Sequence, residues 1–458
     1  MKNHIYILAT IFIALLSSCN DHSLDKDPSY DQQNNIENTN SEVVSKKNAL
    51  NFAEQISSSL FNHIKTRSSD SSENESIESI TPIVENGDTL LWILNYQNNG
   101  GYLILSARKN RFPIVAFNNE GTFDLNTPHN KRWIEEQISA LLKIPSDGTN
   151  DSIHSFADSW NDNVSSGEGE TVVTEFEIDT IKPVSTRSIP ERANPINRRS
   201  VAPLCYSVQW GTGFGYHYEM PKSAYYFHGP CKLPVNELVV SICHLMYHYW
   251  IPGKYGWMYM PATIKQIPAN DKTNPIASMF KDVSTQLGVE YNLDNGCILK
   301  PSKFFNLKTF FAANGYSNTG EIITYNEDES SFLKVYNNLL AQRPVLFATI
   351  FQPNGAKRNW VIDDSRDRIE ETWVVDGYQE IRVKVTKKKY FLGIKVKEKV
   401  HYYYGDFFRF LYPEKGTYSD YLEIKGDGGT GWFQQDHNLF NASSNPKRRK
   451  YAIINIQP

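Results

Sequence analysis

The sequence predicts an α+β protein in which a small mixed domain precedes a larger one whose helices come before its strands. Three observations carry this. The chain has 458 residues, which calls for about two to three folded units rather than one core. Ahead of residue 145, a hairpin signature lies between two stretches of helical spacing. Beyond residue 200, helical spacing gives way to strand alternation towards the C-terminus.

The elements follow in order. Met1-Lys-Asn-His, an apolar run from Ile5 to Leu16 and Ser17-Ser18-Cys19 make a basic start, a short hydrophobic region and a small-residue site ending in Cys. The run falls well short of the about 20 residues a membrane helix needs. Residues 20–41 are rich in Asp, Asn, Ser and Gln, bury too little to order themselves, and read as a tether. Ala49, Phe52, Ala53, Ile56 and Leu60 recur at helical spacing, and a Ser/Glu-rich gap, Arg67 to Ser79, follows. Two apolar runs from Thr89 to Ala107, broken by Asn98-Asn99-Gly100-Gly101, read as a hairpin. A third strand within Phe112 to Asp124 and a helix around Trp133 to Leu142 complete a domain over 42–145.

Residues 146–200 lose periodicity, gain Ser, Gly and Glu, and end on Arg198-Arg199. They read as an exposed linker. In a zymogen such a basic stretch would be a processing site; a solvated connector is the alternative. The larger domain spans 201–458. Pro234 to Pro252 reads as a helix, opened by Pro234-Val235-Asn236 and stopped by Pro252. Ile276, Phe280, Val283 and Leu287, with Gly288 beyond, mark another, and Phe332, Val335, Leu339 and Leu340 a third. Strand patterns dominate afterwards, at 344–350, at 372–378 and in a long hairpin from Ile381 to Tyr404 alternating Val and Ile with Lys. That alternation, from Arg382 through Lys387-Lys388-Lys389 to Lys399, reads as one solvated face of a two-stranded ribbon. Binding of an acidic partner or anionic surface is the other reading of it.

The net charge is −4, small and spread out, so no nucleic acid or anionic surface is expected from composition. Cys205, Cys231, Cys243 and Cys297 are too scattered to form a disulfide framework and read as buried free thiols. His244 and His248, four apart on one helix, have a metal-compatible spacing but no recognisable third ligand. Neither a metal nor another cofactor is expected.

Four segments resemble motifs of the streptopain-like family of papain-fold cysteine peptidases. Pro234 to Pro252 is similar to its nucleophile helix, Pro-Thr-Gly-Cys with a proline at the same separation. Val208 to Tyr216 resembles the oxyanion segment, Trp-x-Gln-x-x-Pro-Tyr-Asn. Glu371-Thr-Trp-Val-Val-Asp-Gly-Tyr378 looks like the general-base strand, His-Ala-Trp-Val-Val-Asp-Gly-Tyr, and Leu422 to Phe433 like the Asn-Trp-Gly-Trp-Gly-Gly stretch that shields the histidine. Ahead of them, the strand, Asn-Gly-Gly, aromatic and Ser-Ala order over 89–107 is similar to the family's propeptide, or inhibitor-like, domain, with Arg108-Lys109 where acidic residues are usual. The first residues resemble a lipoprotein signal over 1–19, with Cys19 lipidated; an ordinary secretory signal is the alternative.

The resemblance implies a papain-like fold, with a helical half against an antiparallel half. It also implies where the chemistry should be. The chain keeps Trp210, Gly211, Pro234, Met246, Pro252, Trp373, Asp376, Gly377, Tyr378, Gly426, Gly428 and Gly429. It carries Glu237 for the Cys, Glu371 for the His, Thr212 for the oxyanion Gln, and Lys425 and Asp427 for the two Trp. Cysteine peptidases need a thiolate at a helix N-terminus and an imidazole across the cleft. The expectation is therefore an inactive, exported homologue that binds a peptide or protein, an active peptidase being one such partner, and meets the membrane only through Cys19. The alternative is an active zymogen with a displaced nucleophile such as Cys231, in Gly229-Pro-Cys-Lys-Leu-Pro. The resemblance also implies that Glu237 and Glu371 face each other, sharing a proton or recruiting a cation such as Lys425. Acid and base work by this pair is a further alternative.

Overall fold

The computed structural model describes residues 43–64, 76–142, 156, 160, 169–178, 198–205, 208–213, 215–223, 231–263, 274–292, 296–353, 362–413, 429–435 and 447–458. Cys19, the tether, Lys425 and Asp427 lie outside them, as do 146–155 and 179–197 of the expected linker.

The first helix, α1 (Lys46–Ile64), buries the five residues that its spacing marked, Ala49, Phe52, Ala53, Ile56 and Leu60. It lies on strands β1 (Ile77–Glu85), β2 (Asp88–Tyr96), β3 (Tyr102–Ser106) and β4 (Ile114–Asn118), an antiparallel meander. The β2–β3 connection needs Gly101 at φ 113°, because a Cβ there would stand 2.2 Å from the carbonyl oxygen of Asn118. Strand β1, placed partly in the Ser/Glu-rich gap by the sequence reading, is an edge strand in which only Ile77, Ile80 and Ile83 are partly buried. Its one legible sign is the Asn86-Gly87 turn that joins it to β2. Helix α2 (Pro128–Leu142) follows.

The expected linker holds structure. Residues 170–178 form β5 (Glu170–Ile178), and Phe156 and Trp160 are buried with Phe176 against Phe52 of α1. An exposed, unstructured connector therefore does not describe 146–200 as a whole. Arg198 is not a free basic site either: it bonds Asp406 and Glu329, each at 2.6 Å, and lies over the Phe332 ring.

In the larger region come β6 (Lys222–Ser223), β7 (Cys231–Lys232), helices α3 (Glu237–Tyr249) and α4 (Pro275–Leu287), β8 (Glu290–Asn292), β9 (Gly296–Ile298), α5 (Pro301–Phe305) and α6 (Leu307–Ala313). Then follow β10 (Asn318–Thr324), α7 (Glu329–Leu340), β11 (Val345–Phe351), β12 (Arg368–Phe391), β13 (Ile394–Tyr412), β14 (Gly429–Gln434) and β15 (Arg448–Gln457). Helix α4 is capped by Asn274, which bonds the Ala277 amide, and ends on Gly288 at φ 69°. Leu340 of α7, marked as core by its spacing, is instead partly exposed.

One antiparallel sheet unites the inhibitor-like and peptidase-like regions, in the order β1-β2-β3-β4-β14-β13-β12-β11-β15-β10, with β5 on the far half of β12. The joint is β4 on β14, where Trp432 pairs with Phe117 and Phe433 with Ala116. Alternate residues of β11 and β12 face opposite layers. Leu346, Ala348 and Val374 pack under α3 and α4, while Phe347, Trp373 and Val375 pack under α2 and α7.

Beside Arg198, burial and the neighbouring Asp406 push the Glu380 carboxyl up to about 7 from an ordinary 4.5. A raised acid pKa means that the folded state holds the proton longer than the unfolded one, so stability falls as pH rises between about 4.5 and 7. Glu380→Gln is expected to remove that slope and to stabilise the protein by about 1–2 kcal/mol at pH 8, the full shift being discounted for partial exposure. Urea midpoints at pH 5 and pH 8 for both proteins check this.

Candidate functional site

The site is built around the start of α3. Asn236 caps it with extended backbone, its side chain accepting from the Leu238 amide at 3.0 Å. Residues Leu238 to Met246 are all buried, so the helix runs through the core, with Glu237 at its head and Tyr247 to Tyr249 at its other end only partly buried. Thr212 is buried beside that turn, its carbonyl accepting from the Val235 amide at 2.9 Å. Glu237 is the first residue of the helix. A carboxylate is favourable there, because the unpaired amides of the first turn carry partial positive charge.

The Glu237 Oε2 accepts from the Thr372 amide of β12 at 3.3 Å. One turn further, the Ser241 and Thr372 hydroxyls meet at 3.3 Å. Residue 372 therefore faces α3. Strand alternation then turns its neighbour Glu371 to the opposite side, among Trp373 and Phe347. Glu371 is buried there and ion-paired with the Arg132 side chain of α2. The expectation that the two carboxylates face each other is corrected by this alternation. The cation at Glu371 comes from the inhibitor-like helix, and Lys425 lies outside the described residues.

Beyond Arg132, a cavity opens between α2 and the sheet, lined by Trp133, Glu136, Tyr325, Glu327, Trp373 and Lys450, among others. Lys450 lies 3.0 Å from Glu136 and 2.6 Å from Glu327. Burial alone would lower its pKa, but the two carboxylates outweigh it and hold the ammonium charged.

The remainder of the β12 motif is structural. Asp376 is fully buried, accepts from Arg409 Nη1 at 3.0 and 2.8 Å and from the Cys205 amide at 2.9 Å. Gly377 has Arg409, Trp432 and Val201 at 3.2 to 3.3 Å from the place of a Cβ, which leaves little room for one. Tyr378 donates to Asp406. These contacts hold β12 to β13 and to the segment entering from 198–205.

The other candidates separate. Cys231 belongs to β7, paired with Ser223, and is not part of α3. Cys205 and Cys243 are buried free thiols whose pKa burial raises, so neither is poised as a thiolate. His244 is buried and stacked on Trp210, its pKa lowered to about 3 by burial. His248 meets the carbonyls of Leu204 and Gln342 through its two ring nitrogens. No group of three metal-ligating side chains occurs among the described residues. Arg132, Lys450 and Ser241 were missed by sequence reasoning; only the Glu136 that follows Arg132 by one turn hinted at a charged helix face.

Comparison with known proteins agrees with the motifs. Residues 41–138 match the Spi protease inhibitor family model, and residues 248–391 match the Peptidase C10 family model. The second span contains Glu371 and begins after Glu237. No curated protein matches the sequence. Among solved structures, a prointerpain A fragment from Prevotella intermedia, a cysteine-to-alanine mutant, is similar with a TM-score of 0.47 and 12% identity, covering 82% of this chain and 98% of that one.

Proposed function

From a chain that joins a Spi protease inhibitor segment to a Peptidase C10 segment, and is thereby a homologue of streptopain-type cysteine peptidases, we propose an exported protein without peptidase activity that binds a peptide or protein ligand. The placement of Glu237 carries this reading. A carboxylate that heads the first turn of α3 and accepts the Thr372 amide hydrogen offers no sulfur for an acyl-thioester. Glu371, ion-paired with Arg132, offers no imidazole to take a proton. The separation of the two carboxylates onto opposite faces also disfavours a shared acid and base role. The ligand is a peptide or a peptidase, the class that both matched segments suggest. Lipidation at Cys19 would hold the protein at the cell envelope.

The test is hydrolysis of casein by the chain recovered from the envelope, before and after cleavage ahead of Arg199. No turnover is expected in either state, and a peptidase is expected to co-purify from the secreted fraction. Turnover abolished by Cys231→Ser would establish the displaced-nucleophile alternative, and turnover abolished by Glu371→Gln a carboxylate hydrolase. Recovery of the chain from the soluble fraction with Cys19 unmodified would count against the anchor.

A further inference from the structure

The long β12–β13 hairpin ends in a feature that neither peptide binding nor fold stability requires. Its turn is the two residues Leu392 and Gly393, at φ 47° and 81°, between the paired Phe391 and Ile394. A tight turn with positive φ at both positions favours Asn-Gly, since a branched apolar side chain strains the left-handed conformation. Leu392 is nevertheless placed there and is 73% exposed, with Ile394 at 71%, Val396 at 54% and Phe391 at 45%. Among the described residues, the strain is not offset by burial of Leu392. An exposed apolar cluster at the end of a projecting hairpin is a surface for something outside it.

The flanks say what that is. Across β5 and the outer parts of the hairpin, over 170–178, 382–391 and 394–404, eight Lys and Arg stand against four Glu. Lys387 pairs directly with Lys399, and Lys389 with Lys397. Like charges directly opposite destabilise a two-stranded ribbon. Glu170 bonds Lys389 at 2.8 Å, but Lys397 and Lys399 form no ion pair among the described residues. The expectation of one solvated face on a two-stranded ribbon is corrected, since β5 adds a third strand and residues 394–402 of β13 are exposed on both faces; nor does it account for two opposed lysine pairs behind an apolar tip.

We propose that this hairpin docks on an anionic lipid bilayer, with Phe391, Leu392 and Ile394 entering the headgroup boundary and Lys387, Lys389, Lys397 and Lys399 contacting phosphate. Apolar side chains at the tip with cations behind them match the two layers of such a surface, hydrocarbon below and negative charge above. A soluble polyanion would satisfy the lysines but gives no role to the strained Leu392. Pairing of another strand on the open β13 edge is opposed by the lysines along it.

The proposal is tested with the full chain carrying Cys19→Ser, so that no lipid anchor contributes, and sedimentation with vesicles of phosphatidylglycerol and phosphatidylcholine. Binding is expected at least tenfold stronger than to phosphatidylcholine alone, and at least fivefold weaker at 0.5 M than at 0.05 M salt, as screening requires (about 4 Å against about 14 Å of Debye length). Leu392→Asn with Ile394→Thr is expected to weaken binding about tenfold while leaving the thermal midpoint unchanged or higher, because Asn suits the turn. Lys397→Glu with Lys399→Glu is expected to abolish the preference for phosphatidylglycerol. Vesicle binding equal with and without phosphatidylglycerol overturns the proposal. So does undiminished binding of the tip variant to vesicles. Binding to dextran sulfate that the tip variant retains, without vesicle binding, overturns it in favour of a soluble polyanion.

Discussion

Exchange of Arg409 for methionine is expected to destabilise the protein by about 3–5 kcal/mol, the loss typical when one partner of a buried ion pair is removed. Asp376 and Arg409 are both buried, and the carboxylate accepts twice from one guanidinium nitrogen. Without Arg409, Asp376 keeps the Cys205 amide but is left buried with an uncompensated charge. The double variant Asp376→Asn with Arg409→Met is expected to recover part of the loss, since the stranded charge is then gone. Urea midpoints of wild type, single and double variants check this. An Arg409→Met protein that unfolds at the wild-type midpoint would show that the pair does not hold the sheet.

The second large effect concerns the inhibitor-like region. A chain beginning at Val201 is expected to be insoluble or to lack a cooperative unfolding transition. Its β14 edge would lose β4, and Trp432 and Phe433 would lose Phe117 and Trp133, stacked at 6.3 Å and edge-on at 5.0 Å respectively. Tyr102 and Phe112, which fill the spaces over Gly431 and Gly405, would go too. Aromatic side chains of this size bury about 150–250 Å² each, so the exposed area would be large. The milder Phe117→Ala is expected to cost about 3–5 kcal/mol, as a fully buried ring is replaced by a cavity. Solubility and near-ultraviolet circular dichroism of the 201–458 chain check the first expectation, and a urea titration the second. A soluble, natively packed 201–458 chain would mean that the region is a separable propeptide.

The difference between two domains in the sequence and one sheet in the structure has a local cause. Helical spacing in α1 and the Asn-Asn-Gly-Gly break between β2 and β3 are short-range signals, and they marked a mixed domain. The β4–β14 pairing joins residues 116–117 to 432–433, and strand alternation within either segment carries no information on its partner. The same holds for β5. Its residues Val172, Val173, Phe176 and Ile178 are sparse among Glu and Thr, and they form a strand because the outer half of β12 offers an open edge.

At the candidate site, the sequence by itself determined the residue at the head of α3. The two prolines, the Asn236 cap and the apolar periodicity set the helix's start and end, so Glu237 had to lie at its first turn, whatever packed around it. Tertiary structure alone decided what Glu371 does. Its side chain follows the pleat of β12 away from α3, and its cation, Arg132, arrives from 239 positions earlier through the docking of α2 on the shared sheet. Helix caps are fixed by neighbours in the chain, whereas the partner of a buried charge is fixed by which surfaces close over it.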